Sequence, residues 1–394
     1  MTYDDFCKQN IQNRKVKMTL YKKNIRMKKL ILFLIFTINA LYSCGSDDDK
    51  RTPPPPEGGG DRGGTSTEYK GIKEHFGVNL SGAEFAQVYP GIDGTNYGYP
   101  TAQCLDYFKK KNLMLIRFPF RWERVQHVLN GDLYTPDINK MKTFVKAAED
   151  RDMLIILDMH NFARRSLDGG ATLTIIGTTP SLTVAHLADV WMKLAMEFKD
   201  YKNIWAYDIM NEPYDMPSTL SWYEMAQTVI YKIRAVDTET PIIISGDSFS
   251  SASRWAQVSD NLKNLKDPSN KLIYQAHTYF DEDASGQYQN SYDANHVTPQ
   301  TGVERVKPFV EWLKKNKKVG ILGEYGIPDN DDRWKVVLEN MLAYLRDNGV
   351  PGTYWSAGPR WGDYSLAVQP TNNYTKDRPQ MSVLEKYTKT KQVE

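Results

Sequence analysis

Residues 204–213 read Ile204-Trp205-Ala206-Tyr207-Asp208-Ile209-Met210-Asn211-Glu212-Pro213. The run is nearly all apolar up to Met210, then turns polar and stops at a proline. A short, near-continuous apolar run reads as a strand buried on both faces, as in a parallel sheet covered by helices. Asn211 and Glu212 then stand at the C-terminal end of that strand.

The same kind of run recurs along the chain. It occupies residues 77–80, 113–119, 154–160, 241–246, 272–279, 319–325 and 352–356, which with 204–210 makes eight. Between the runs lie patterns of helical period. Thr135-Pro136 caps one, with proline at the first helical position, and Ile138, Met141, Phe144, Val145 and Ala148 form its apolar face. Leu187, Val190, Trp191, Leu194 and Phe198 make a second, and Trp334, Val337, Leu338, Met341, Leu342 and Leu345 another. Strands alternating with amphipathic helices imply βαβ units, and eight of them imply an α/β fold of the (β/α)8 TIM-barrel type over residues 69–394. A doubly wound open sheet is the alternative, but no glycine-rich phosphate loop follows the first strand.

In a TIM barrel the C-terminal strand ends build the site. Here those ends carry Arg117, His160, Asn211 and Glu212, His277 and Tyr279, Glu324, and Trp355. Each polar group at a buried strand end costs desolvation, so several together point to chemistry. Glu212 and Glu324 form the pair of carboxyls that glycoside cleavage needs. On sequence alone, salt-bridged surface glutamates would read the same way.

The remaining features narrow the field. A formal net charge of +2 gives no field to attract nucleic acid. The 24 tyrosines and 9 tryptophans exceed what a site uses, yet some would stack on pyranose faces. No cofactor motif appears, and neither HExxH nor paired Cys–His spacing suggests a metal. Asp329-Asn330-Asp331-Asp332 lacks the spacing of a calcium loop and reads as a solvated turn. Cys104 falls in an expected helix and reads as a buried structural thiol.

The N-terminal region reads separately. From Met27, a basic start, an apolar run over 30–41 and Tyr42-Ser43-Cys44 compose a signal segment within residues 1–44. This resembles the lipobox of bacterial lipoproteins, with Tyr42 in place of the usual small residue. It implies lipidation at Cys44 and an anchor in the outer membrane. Asp47-Asp48-Asp49 resembles the acidic tract that directs some such proteins to the cell surface. Residues 45–68 are rich in proline and glycine and read as a tether.

The ordered set of strand-end residues resembles glycoside hydrolase family 5, the large cellulase family. Eight site residues of that family have matches in Arg117, His160, Asn211, Glu212, His277, Tyr279, Glu324 and Trp355. The segments 118–124, 158–164, 277–286 and 355–364 extend the likeness toward its subfamily 5, dominated by endo-β-1,4-glucanases. Two positions depart from that branch, which has tyrosine where Phe162 stands and an aromatic where Arg360 stands.

The resemblance implies an enzyme acting on a β-glucan polysaccharide with retention, a chemistry that requires no metal or cofactor, and a monomer is expected. Glu212 would be the acid/base and Glu324 the nucleophile, kept ionised by Arg117 and steered by Tyr279. Asn211 would bond the sugar 2-OH, His277 would contact Glu212, and His160 would bind a hydroxyl. Trp355 would floor the sugar site, with Trp122, Phe162, Trp255 and Trp361 as further platforms. Mixed-linkage glucan, xyloglucan and mannan remain alternative backbones, and a non-catalytic glycan-binding barrel a remote one.

Overall fold

The computed structural model describes residues 75–391. The signal segment, Cys44, the tether and the expected domain start at residue 69 lie outside them.

Eight strands form the main sheet: β1 Gly77–Leu80, β2 Leu115–Phe120, β3 Leu154–Met159, β4 Ile204–Asp208, β5 Ile242–Ser245, β6 Leu272–His277, β7 Val319–Glu324 and β8 Thr353–Ala357. Each falls on a run expected from sequence. They pair in the order β8-β1-β2-β3-β4-β5-β6-β7, all parallel. The ring closes between β7 and β8 through one bridge, Leu322 to Gly352, and bonds from Leu322 N to Pro351 O and Trp355 N to Tyr325 O. This is the (β/α)8 barrel.

The outer layer comprises α1 Ala102–Lys110, α2 Thr135–Glu149, α3 Val184–Phe198, α4 Trp222–Arg234, α5 Trp255–Val258, α6 Thr301–Asn316, α7 Arg333–Asp347 and α8 Met381–Leu384. α5 and α8 are single turns. The apolar faces expected of α2, α3 and α7 are buried. α4 starts with a reciprocal cap between Ser221 and Glu224. α2 begins at Thr135 with Tyr134 in the cap position and no side-chain cap bond. Thr135 therefore does not cap the helix, and Pro136 takes the second helical position. Proline is tolerated there too, because first-turn N–H groups have no intrahelical acceptor. Cys104 is fully buried in α1.

Strand side chains alternate between faces, so the wall separates two cores. The outer core packs strands on helices. The inner one fills the lower barrel with Leu115, Ile156, Trp205, Ala206, Ile243, Ile273 and Ile321. Two residues further along the same strands, the interior becomes polar. Asn79, Arg117, Asp158, Asp208, Ser245, Gln275 and Thr353 sit there with 0% exposure. β7 places Gly323 at this level, where a Cβ would lie 2.3 Å from Gln275 Oε1. Only glycine leaves room for that side chain.

Candidate active site

The site rests on this polar layer. Arg117 spans it from β2. Its Nε donates to Asp208 Oδ2 (2.9 Å), Nη1 to Asn79 Oδ1 (2.8 Å) and Glu324 Oε1 (2.8 Å), and Nη2 to Asn211 Oδ1 (2.7 Å). Asp158 Oδ2 adds an ion pair at 3.1 Å. Burial works against the guanidinium charge, but the three carboxylates outweigh it and hold the group above its ordinary range. The carboxylates feel the other side of this balance. Burial pushes Asp158 up to about 7 and Asp208 up to about 6.

Above the layer, β4, β6 and β7 bring Glu212, His277 and Glu324 together. One donor atom from each lies within 4.8 Å of the others, and this is the one such cluster of potential metal donors among the described residues. Its atoms already engage one another. His277 Nδ1 lies 2.9 Å from Glu212 Oε1 and 3.6 Å from Glu324 Oε2. The Tyr279 hydroxyl donates to Glu324 Oε2 at 3.0 Å.

The two glutamates differ in setting. The Glu324 side chain is 5% exposed and the Glu212 side chain 14%. Glu212 has a left-handed backbone, φ 43°, which takes its side chain out of strand alternation. Burial, reinforced by the charge of Glu212, raises Glu324 to about 7, while His277 and Arg117 pull it down. The expectation of a plainly ionised Glu324 thus meets an opposing desolvation that Arg117 only partly offsets. Burial also lowers His277 to about 4 and raises Tyr279 well above its usual value. At neutral pH the imidazole is neutral and the phenol keeps its proton. The cluster can therefore hold one carboxyl proton between two carboxylates while a phenol and a guanidinium orient the deeper one.

Aromatic residues form the walls. Trp355 lies flat on His160, with centroids 5.2 Å apart and planes 15° from parallel. Trp361 meets Trp355 edge-on at 5.7 Å and stacks on Tyr364 at 4.5 Å, so it buttresses the Trp355 ring. Phe162, half-buried, meets His160 edge-on at 5.2 Å. Arg360 donates to Thr95 O at 2.5 Å, tying the loop after β8 to the loop after β1.

Two expected platforms are not platforms. Trp122 has 0% exposure and bonds Gln126, with Arg165 over its ring. Trp255, also at 0%, packs on Phe309 and Trp312 in the helical layer. Both follow strand ends in sequence, but their rings turn behind the wall, where aromatic burial is most favourable. Asp329 and Asp331 pair with Arg378 and Arg333.

The sequence reading missed the layer beneath the site: Asn79, Asp158, Asp208, Ser245 and Gln275. The signal was period two, since Asp158 lies two residues before His160 and Gln275 two before His277. It also missed Tyr214 and Phe249, which stack at 4.2 Å beside Phe162 under the Arg164 guanidinium. No pattern marks these two, because residues 248–250 form a left-handed turn rather than a regular element.

Two carboxylates bridged by one imidazole at the mouth of a (β/α)8 barrel, one oxygen of each within 4.8 Å, define a barrel glycosidase, a class in which one carboxyl protonates the leaving oxygen and the other attacks or activates water. Comparison with known proteins agrees. Residues 70–360 match the family described as Cellulase (glycosyl hydrolase family 5). Endo-beta-1,4-glucanase B of Aspergillus niger is 33% identical over 320 residues, covering 80% of this chain and 91% of its own. The Pseudomonas stutzeri endoglucanase Cel5A in complex with cellobiose is 42% identical with a TM-score of 0.74, covering 81% of this chain and 96% of that one. XacCel5A in complex with cellopentaose is 36% identical with a TM-score of 0.73, covering 80% and 100%. The chain belongs to glycosyl hydrolase family 5. It is a glycoside hydrolase of a retaining family.

Proposed function

We propose that the chain is an endo-acting β-1,4-glucanase, cleaving β-glucan backbones through a glycosyl-enzyme intermediate. The observation that carries this is the Glu212–His277–Glu324 cluster, with Arg117 and Tyr279 both on Glu324. Glu324 attacks the anomeric carbon, and Glu212 protonates the departing oxygen. Water, deprotonated by Glu212, then releases the sugar from Glu324. Arg117 and Tyr279 stabilise the Glu324 anion that attacks and is later released. His277 passes its hydrogen bond to whichever charge state Glu212 holds. Asn211 holds the sugar 2-OH, and Trp355 supports the ring on the non-reducing side.

The backbone assignment draws on the relatives named as endo-β-1,4-glucanases and on the neighbours bound to cellobiose and cellopentaose. Arg360 supports a second reading within the same mechanism. A guanidinium, tied to Thr95, stands where the branch has an aromatic, which favours a mixed-linkage, xyloglucan or mannan backbone. The test is a product profile on carboxymethyl-cellulose, mixed-linkage glucan, xyloglucan and mannan, with Glu324→Ala in parallel. Rapid shortening of the cellulose derivative, absent in the variant, is expected. Activity retained by Glu324→Ala would overturn the mechanism, and preference for another backbone would move the substrate.

The enzyme acts as a monomer, exported as an outer-membrane lipoprotein through Cys44 and displayed at the cell surface behind its acidic tract. Radiolabelled palmitate incorporated by the full chain, but not by Cys44→Ala, is the expected result. Labelling that survives the substitution would remove the anchor.

A further inference from the structure

Four side chains at the level of the polar layer close a ring. Asp158 Oδ2 meets His160 Nδ1 at 2.8 Å, His160 Nε2 meets Asn211 Nδ2 at 3.3 Å, Asn211 Oδ1 accepts from Arg117 Nη2 at 2.7 Å, and Arg117 Nη2 returns to Asp158 Oδ2 at 3.1 Å. All four are buried. The proton positions follow from chemistry. Arg117 can only donate, so Asn211 must present its carbonyl oxygen there and its amide nitrogen to His160. An amide nitrogen can only donate, so His160 Nε2 must be the bare nitrogen. A neutral imidazole then carries its proton on Nδ1, which needs an acceptor, and Asp158 Oδ2 is that acceptor. Burial keeps this imidazole neutral, lowering its proton affinity well below the usual value.

We propose that Asp158 is a positioning residue for the reaction: it fixes the His160 tautomer and thereby aims the second N–H of Asn211 at the substrate beside Glu212. The proposal rests on the functional reading given above. If Asp158 is removed, the Nδ1 proton loses its acceptor, and only the 3.3 Å contact with the Asn211 amide still favours Nδ1–H over Nε2–H. The Nε2–H tautomer would face the Asn211 amide donor to donor, and the amide would swing away. The same logic governs any histidine whose partner nitrogen is fixed by a neighbouring carboxylate.

The test is a cycle of variants in the full chain, assayed on a soluble cellulose derivative. Asp158→Ala is expected to lower kcat on the order of 10- to 100-fold, as loss of an orienting partner of a functional histidine does, with KM changed by less than about 3-fold. In an Asn211→Ala background the same substitution should cost less than about 3-fold, because the group it acts through is gone. Asp158→Asn, which can still accept from Nδ1, should recover part of the loss. Histidine 15N resonances should report Nδ1–H for His160 in the parent and a shift toward Nε2–H in Asp158→Ala. An equal penalty in both backgrounds would place the effect in Arg117, Glu324 or the fold and overturn the proposal. So would an unchanged tautomer. Glu324→Ala separates the two readings. If it is inactive while the cycle is additive, the mechanism stands and only the role of Asp158 falls.

Discussion

Inside the barrel, Leu115, Ile156, Ile243 and Ile273 pack dry against one another, while Arg117, Asp158, Ser245 and Gln275, each two residues further along the same strands, share hydrogen bonds. The backbone is the same and the exposure equally nil. The energetics are opposite. Each buried aliphatic below contributes about 1.5–3 kcal/mol. Above, one guanidinium faces three carboxylates, Asp158, Asp208 and Glu324. Buried ion pairs of this kind roughly break even or cost stability against apolar substitutes. The lower layer holds the cylinder together. The upper layer is tolerated because it presents Glu324 and Asn211 in fixed orientations, the preorganisation on which electrostatic catalysis depends.

That contrast can be broken in several places. Glu324→Ala should lower turnover on the order of 10⁴-fold or more with the fold kept. Glu212→Ala should follow on polysaccharide but cost far less on an aryl glycoside whose phenolate departs without a proton. Reducing-sugar and chromogenic assays side by side check both. Arg117→Met should destabilise the protein by about 3–5 kcal/mol in urea, because three buried carboxylates lose their counter-ion. Unchanged stability would mean that those carboxyls are already neutral and the layer is not a charged one. Ile243→Ala, in the lower layer, should cost about 2–5 kcal/mol of stability yet leave kcat unchanged below the melting transition. A drop in kcat would dissolve the division between layers.

The acid limb of kcat/KM sharpens the picture further. Glu324 must be ionised to attack, and its affinity for a proton is raised to about 7. The rate constant should therefore fall as pH drops through 7, by about tenfold per unit. A flat profile down to pH 5 would show that Arg117 wins over burial. The smallest effect is expected at Trp255→Phe, which should leave KM within about 2-fold because the ring never meets substrate.

The sequence made the framework legible for a physical reason. A strand buried on both faces leaves little choice of residue, so apolar runs such as 319–325 announce themselves. So does a glutamate that ends one. The deeper polar layer was hidden by the same rule, since Asp208 and Gln275 look like interruptions in apolar runs until alternation places them inward. The tryptophans show the reverse limit. Trp122 and Trp361 both follow strand ends, yet one packs behind the wall and the other against Trp355. Which way a ring turns is decided by loop packing, which periodicity does not encode.

The seam between β7 and β8 carries a further consequence. Backbone bonding there is sparse, and side chains complete it. Asn79 Nδ2 donates to Gly323 O and Thr353 O at 2.9 and 3.1 Å, and the Thr353 hydroxyl donates to Gly323 O at 2.6 Å. A cylinder has no edge strands, but one fastened by side chains has two latent ones. Releasing Asn79 would leave this junction to two backbone bonds and the Thr353 hydroxyl, the thinnest fastening over strand margins that could otherwise pair with another chain. The residue that steadies Arg117 thus also fastens the seam that keeps those margins covered.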